Sequence, residues 1–415
     1  MGVHIGADNR AAVLSLILCR IVYAINWFNL AAVFSFAASD LNQNVSGLGL
    51  VTAMFYLGIG IFQLPGGILA AKIGPRLTAI YGTTVASLAA LLSSFASNLV
   101  EIAALRFFVG FGMAFVFAPG VILMTRFLKK GSEGLGVGLY NLAFNLGGAI
   151  GLSGWAVLAV TAGWRNALIT SGSLGLFTSV LLWLLVPKDT RRPNFKLSLQ
   201  HLKHILLDKW LIALSIALLG LEAGTAIYNN FTPYYLESVI HLNAGEAGTI
   251  ASVASLFALA TSPLAGRLFD KFGNAKQLLF ATGVLMTIGV GIAFIGTVHS
   301  SILSGILVGL ASGAGFTIGF SASRAANRLD KEYETLAVSW VNSISLFGVF
   351  VPPLLYSYLV TQYGYSPAWL YLAILTFALT IPILIPKHQP KQTHGKSPFE
   401  PQESGLNTQI QGPQP

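Results

Sequence analysis

The chain has 415 residues, 54% of them hydrophobic and only 9% charged. Soluble domains carry about 25% charged residues, so this composition excludes a soluble globular enzyme, and also a disordered or collagen-like chain. The net charge of +9 would suggest nucleic acid in a soluble protein, but here it must be read against a membrane; the single Cys19 leaves no internal disulfide and no cysteine-based metal cluster.

A membrane-crossing helix needs about 20 mainly apolar residues. Twelve such segments are expected, at 13–38, 47–71, 77–97, 100–126, 134–161, 166–186, 210–236, 245–268, 277–298, 301–323, 335–360 and 366–386; they are numbered here as spans 1 to 12. A short segment, 1–12, precedes span 1, which is longer than a signal-peptide core and carries Arg20, so it reads as retained. The loops are short except 187–209, which holds Lys188, Arg191, Arg192, Lys196, Lys203 and Lys209 and separates six spans (13–186) from six (210–386). The stretch 387–415, punctuated by Pro390, Pro398, Pro401, Pro413 and Pro415, has too little apolar content for a core and is expected to be a disordered tail.

Placing the N-terminus in the cytoplasm puts 21 of the 24 Lys and Arg residues on that side. Arg165 falls outside, and Arg20 and Arg106 lie within spans. Positive charge collects on the cytoplasmic side of membrane proteins, so both termini are expected there and the basic balance reads as a topology signal rather than a nucleic-acid footprint. Acidic residues mix with basic ones, as in Asp330, Lys331, Glu332 and Glu334, so no purely basic stripe exists.

The halves repeat. Gly67, Ala71 and Gly74 after span 2 align with Gly266, Asp270 and Gly273 after span 8 at an offset of 199, as do Gly110 and Gly309. At an offset of 201, Asn141 meets Asn342 and Gly147 meets Gly348. Matches in order at nearly one offset argue for a duplicated six-helix unit, whose facing copies would enclose a central cavity near the bilayer midplane.

These features resemble the major facilitator superfamily. The loop pattern G-x3-D-x2-G-x-[RK] is met by Gly266, Asp270 and Gly273, with Lys276 one residue late; the first copy keeps Gly67, Gly74 and Arg76 but has Ala71 in place of the Asp. Arg106, Gly110 and Gly112 fit R-x3-G-x-G in span 4, and Gly163-Trp164-Arg165 lies between spans 5 and 6. The resemblance covers about 1–386. It implies an all-α integral membrane protein with twelve transmembrane helices in two pseudo-symmetric six-helix halves, the major facilitator fold. It further implies a multi-pass protein of the plasma membrane, monomeric, without cofactor or enzymatic activity, whose loop glycines and Asp270 clasp helix ends. In span 5, Gly138, Gly147 and Gly151 match the drug-efflux pattern, but Leu152 and Trp155-Ala156 depart from it. Sugar-porter and peptide-transporter signatures are absent from the central loop and span 1.

Three charges fall inside spans: Arg20, Arg106 and Glu222. A charge at the centre of a spanning helix costs about 2.5–3.5 kcal/mol, so each should face a cavity or a partner. Guanidinium groups suit carboxylate or phosphate, and Arg20 and Arg106 are expected to bind an anionic substrate between them. This resembles the organic-anion branch of the superfamily, although Cys19 stands where that branch often has a carboxylate. The alternatives are backbone hydrogen bonding for Arg106 and reach to the cytoplasmic face for Arg20. Glu222, near the middle of span 7, is the candidate proton-coupling group, or else the static partner of Arg20.

Amides supply donors and acceptors that can orient a polar solute. Asn26 and Asn29 share a face of span 1, Asn141 and Asn145 lie on span 5, Tyr228 and Asn229 on span 7 and Asn342 on span 11; interhelical hydrogen bonding is the alternative. Gly-x-Gly patterns lack a preceding strand, and no H-E-x-x-H occurs, so neither a nucleotide nor a metal site is expected. The reading is a secondary transporter of a small, carboxylate-type organic anion, working by alternating access and proton symport. Its rivals are an efflux antiporter and a non-transporting membrane sensor or scaffold.

Overall fold

A computed structural model describes residues 10–127, 133–189, 199–325 and 331–386. Residues 1–9, the basic middle of the 187–209 linker with Arg191, Arg192 and Lys196, and the expected tail lie outside the described residues. Among the described residues, twelve helices are long and apolar enough to cross a membrane: Arg10–Asp40, Val45–Ile73, Pro75–Phe95, Leu99–Met124, Gly138–Ala162, Trp164–Leu185, Lys209–Ser238, Ala244–Phe269, Ala275–Ile295, Val298–Ser323, Leu336–Tyr363 and Tyr365–Leu384. They correspond one to one with spans 1 to 12. The exterior is apolar, with Val160, Phe177, Trp183 and Ile374 all exposed, as a lipid-facing surface requires. The protein is an all-α, multi-pass membrane protein.

Polar residues in short loops start the helices. Asn98 Oδ1 accepts from Glu101 N at 3.0 Å, while Glu101 returns a carboxylate oxygen to Ser97 N at 2.8 Å. Asp208 caps span 7 through Trp210 N and Leu211 N, and Asn243 with Glu246 forms a capping box on span 8. Each bond satisfies an amide that a helix start leaves unpaired.

The duplication is written in the backbone. Gly163 and Gly364, 201 residues apart, join spans 5 to 6 and 11 to 12 with φ of 87° and 86°, a conformation only glycine adopts without strain. Gly110 and Gly309 make equivalent approaches: an added Cβ would lie 2.1 Å from Phe55 O in one and 2.3 Å from Ala254 O in the other. Both the glycines and the oxygens they abut are 199 apart, so one helix-on-helix contact occurs twice.

Two spans depart from continuity. Span 4 breaks at Phe115 and Val116 between helices Leu99–Ala114 and Phe117–Arg126, just ahead of Pro119, whose ring cannot continue a regular helix upstream. Span 11 breaks at Val349 and Phe350 before Pro352 and Pro353. The corresponding parts of spans 10 and 5 run through unbroken, so the breaks are not part of the repeat. The linker, expected to be loop throughout, also holds a short helix, Leu199–Leu206; it tucks Ile205 inward and leaves Leu207 exposed.

Candidate functional site

The two halves enclose a central cavity of about 900 Å³ counted out to its mouth. Spans 1, 2, 4 and 5 line it from one half and spans 7, 8, 10 and 11 from the other. Among the described residues, Arg20 and Glu222 are the charged side chains in its wall.

Arg20 is 5% exposed. Its guanidinium carbon lies 4.5 Å from the ring centre of Tyr23, 4.7 Å from Tyr140, 4.5 Å from Phe144 and 5.0 Å from Phe117. Four π-faces stabilise the cation by about 0.5–2 kcal/mol each, which accounts for a buried arginine without a carboxylate beside it. Rings do not satisfy its N–H groups: Nε and Nη1 are buried without a hydrogen-bond partner. Arg20 is therefore held in place electrostatically while two of its donors stay open. The cage escaped the sequence reading because three of its rings come from spans 4 and 5, about 97 to 124 positions away.

Glu222 lines the same cavity but makes no ion pair with Arg20; among the described residues the ion pairs are Arg126–Asp189 and Arg165–Asp40. Asn141, Asn145, Asn229 and Asn342 also face the cavity. Asn229 Oδ1 is buried and receives no hydrogen bond.

The structure places the other expected site residues elsewhere. Arg106 donates from Nη1 to Asn29 Oδ1 at 2.8 Å and from Nη2 to Trp27 O at 3.0 Å. Asn29 Nδ2 donates to Ser171 Oγ at 2.9 Å, and Ser171 Oγ donates to Asn26 Oδ1 at 2.7 Å. Asn26 Nδ2 completes the chain to Ser171 O at 3.1 Å. This buried network ties spans 1, 4 and 6 together behind the cavity wall, so Arg106, Asn26 and Asn29 are turned away from the cavity and into packing. Tyr228 is likewise spent on structure, donating to Ser301 O at 2.8 Å. Trp155, which interrupts the efflux-type pattern, donates from Nε1 to Ile25 O at 3.1 Å and pins span 5 to span 1.

The loop motifs sit at the basic end of the bundle. Gly74, with φ 97°, turns span 2 into span 3. Arg76 Nε donates to Val186 O at 2.7 Å, its Nη2 to Trp183 O, and its backbone N to Asp189 Oδ2 at 3.2 Å. Asp189 also pairs with Arg126 at the end of span 4. Asp189 thus places, from beyond span 6, a carboxylate at the first copy of the loop, where Ala71 stands instead of an Asp. In the second copy, Gly273 ends its helix in the left-handed conformation at φ 63° and Gly266 lies near Thr317; the side chain of Asp270 lies outside the described ones. Gly67 packs on Ser339, where an added Cβ would stand 2.8 Å from Oγ, and joins spans 2 and 11. At the opposite end, Trp164 and Arg165 both donate to Asp40, fastening span 6 to span 1.

The family model described as Major Facilitator Superfamily matches residues 16–327 and 223–412. The probable L-galactonate transporter of Escherichia coli (strain K12) is 24% identical over 250 residues, taking in 56% of this chain and 55% of that protein. The membrane sensor protein UhpC of Salmonella typhimurium (strain LT2) is 25% identical over 292 residues, 63% of this chain and 65% of that protein. The matches span less than two thirds of either relative's length. The crystal structure of a single-site mutant of the nucleoside transporter NupG superposes with a TM-score of 0.74 at 13% identity, over 90% of this chain and 98% of that one; at that identity the likeness is one of fold.

Proposed function

The chain belongs to the Major Facilitator Superfamily, and on that premise we propose that it is a secondary transporter of a small organic monoanion, coupled to protons. The observation that carries the reading is the pairing of Arg20 and Glu222 in one cavity between the halves, without an ion pair between them. A carboxylate entering the cavity supplies the acceptors that Arg20 Nε and Nη1 lack. Such charge-assisted bonds are about twice as strong as neutral ones. Glu222 then holds or releases a proton according to whether negative charge sits opposite it, and that dependence is what couples the two fluxes. Asn141, Asn145, Asn229 and Asn342 orient the rest of the solute. The expected setting is the cell inner membrane, with both termini cytoplasmic, the basic end inward and the protein monomeric.

The name of the galactonate relative fits an organic anion. The name of the sensor relative fits the rival in which the fold binds a solute without moving it, and transport itself decides between them. Purified protein in liposomes, given a panel of labelled monocarboxylates and an inward proton gradient, should accumulate at least one. Arg20→Ala should weaken binding by about 10- to 100-fold, the worth of a lost charged hydrogen bond. Glu222→Gln should keep exchange of labelled for unlabelled solute while losing gradient-driven accumulation. Binding without counterflow in wild type would favour the sensor, and normal uptake by Arg20→Ala would end the anion reading.

A further inference from the structure

We infer that the seam between spans 2 and 11 is loaded to part at the basic end, and that Gln63 and Ser339 carry the load. The inference rests on the alternating-access reading above and says which half of one seam gives way. Gly49, Gly60 and Gly67 follow one another at 11 and 7 residues, about three turns and two turns, so they share one face of span 2. A Cβ added to each would run into span 11, at Ser357, Phe347 and Ser339 in turn. The two spans therefore pack closely along most of their length. Gln63 lies three residues after Gly60 and four before Gly67, on the same side of the helix, and is 0% exposed.

The polar groups along this seam are not served alike. At the end away from the basic loops, Ser46 Oγ and Thr361 Oγ1 are bonded at 3.1 Å, and Ser357 Oγ donates to Leu354 O at 3.0 Å. In the middle, Ser343 Oγ donates across the seam to Gly60 O at 2.6 Å. Toward the basic end the pairing stops. Among the described residues, Gln63 Oε1 and Nε2 and Ser339 Oγ are buried without a partner, and Ser339 is also 0% exposed.

A buried donor or acceptor left unpaired costs its full desolvation, whereas an apolar pair of the same shape carries no such penalty. Gln63 and Ser339 thus weaken the closed seam without adding a bond to it. Water entering as the spans part supplies the missing partners and removes the cost. The Ser343–Gly60 bond marks where the loaded half ends and the satisfied half begins.

The test is the distance between nitroxide labels on Lys72→Cys, at the end of span 2, and Arg267→Cys, near the end of span 8. It is read by double electron–electron resonance on the full-length protein in detergent, with no solute added. Both positions are exposed and lie in different halves, and the buried Cys19 stays unlabelled. Parting of the basic end populates a longer distance. Gln63→Met keeps an unbranched side chain of similar length and removes both orphaned atoms. It should lower the ratio of long to short populations by at least about fivefold, the scale of one unpaired buried group, while the unfolding midpoint holds or rises. Ser339→Ala, a smaller change, should move the ratio the same way. A merely structural role for Gln63 would lower the midpoint and leave the ratio where it was. Wild type confined to the short distance, or a ratio that neither variant lowers by about twofold, overturns the inference. Because no solute is present, either result leaves the anion reading standing, and failure of the anion reading leaves the distances to decide this inference alone.

Discussion

Arg20 and Arg106 are the same residue type in two spans of one half, and the structure gives them opposite employment. Arg106 bonds Asn29 Oδ1 and Trp27 O and sits over Phe55, with Nε left unpaired; Arg20 has four rings around it, with Nε and Nη1 unpaired. Replacing Arg106 by Leu strands buried acceptors, each costing about 1–3 kcal/mol. We expect a fall of several degrees in the unfolding midpoint in detergent, with the folded fraction keeping its anion affinity to within about threefold. Arg20→Leu should do the reverse. It removes an incompletely paired buried charge, a change that is often neutral or stabilising, so the midpoint should hold or rise while anion binding disappears. Fluorescence-detected melting and a binding isotherm on the same two samples check both statements. The sequence carried part of this distinction. Arg20, Tyr23 and Trp27 recur at the three- and four-residue spacing of one helix face, and all three reach the cavity. Asn26 and Asn29 share a different face. Helical spacing groups residues correctly, but it does not say which face meets the other half and which meets spans 4 and 6. That depends on partners such as Ser171, 142 residues from Asn29.

Among the elements, the spans were legible because each satisfies one strong condition, sustained apolar length, and because the duplicated glycines mark equivalent contacts. The breaks in spans 4 and 11 were less so. Pro352-Pro353 advertises the second, whereas span 4 stays hydrophobic through Phe115 and Val116 and carries only Pro119 as a hint. The clasp at the basic end was legible as a gap, Ala71 where an Asp belongs, but not as its remedy. Asp189 is 113 residues from Arg76, and no local pattern connects them. If Asp189 replaces the missing loop carboxylate, Asp189→Asn should loosen the junction of spans 2, 3, 4 and 6. Its effect on global stability should be small, since the Arg126 side chain is 43% exposed and pairs open to solvent contribute about 0–1 kcal/mol. The local effect should be larger: amides at the start of span 3, from Arg76 onward, should exchange with deuterium faster than in wild type, on the order of several-fold, while those of span 12 do not change. Identical exchange at both places would show that Asp189 is not the clasp.

The molecule as a whole is closed unevenly. At the end opposite the basic loops, Ser35 Oγ donates to Glu237 Oε2 across spans 1 and 7. Beside them Phe34 stacks edge-on to Tyr234 at 5.5 Å, and Gly248 is pressed against Leu152 O, where an added Cβ would lie 2.5 Å away. Toward the basic end the cavity has an aromatic floor, in which Phe117 of span 4 and Phe320 of span 10 lie 5.6 Å apart. Phe117 is also part of the cage around Arg20, so one ring serves both the cage and the floor beneath it. Two halves that rock about a central site must separate first at one end and then at the other. In the proposed cycle the Ser35–Glu237 contact is a junction that has to part once per turn. In the double variant Ser35→Cys, Glu237→Cys, a short bis-methanethiosulfonate joins the two thiols through disulfides and should hold that end shut; Cys19 is buried against Thr83 and does not compete for the reagent. The bridged protein should lose counterflow in liposomes and recover it on reduction. It should still bind its anion in detergent, because the bridge leaves the basic end free to open. If the bridged protein keeps more than about a tenth of its counterflow rate, the halves do not separate at this junction, and alternating access about the Arg20 cavity is wrong for this molecule.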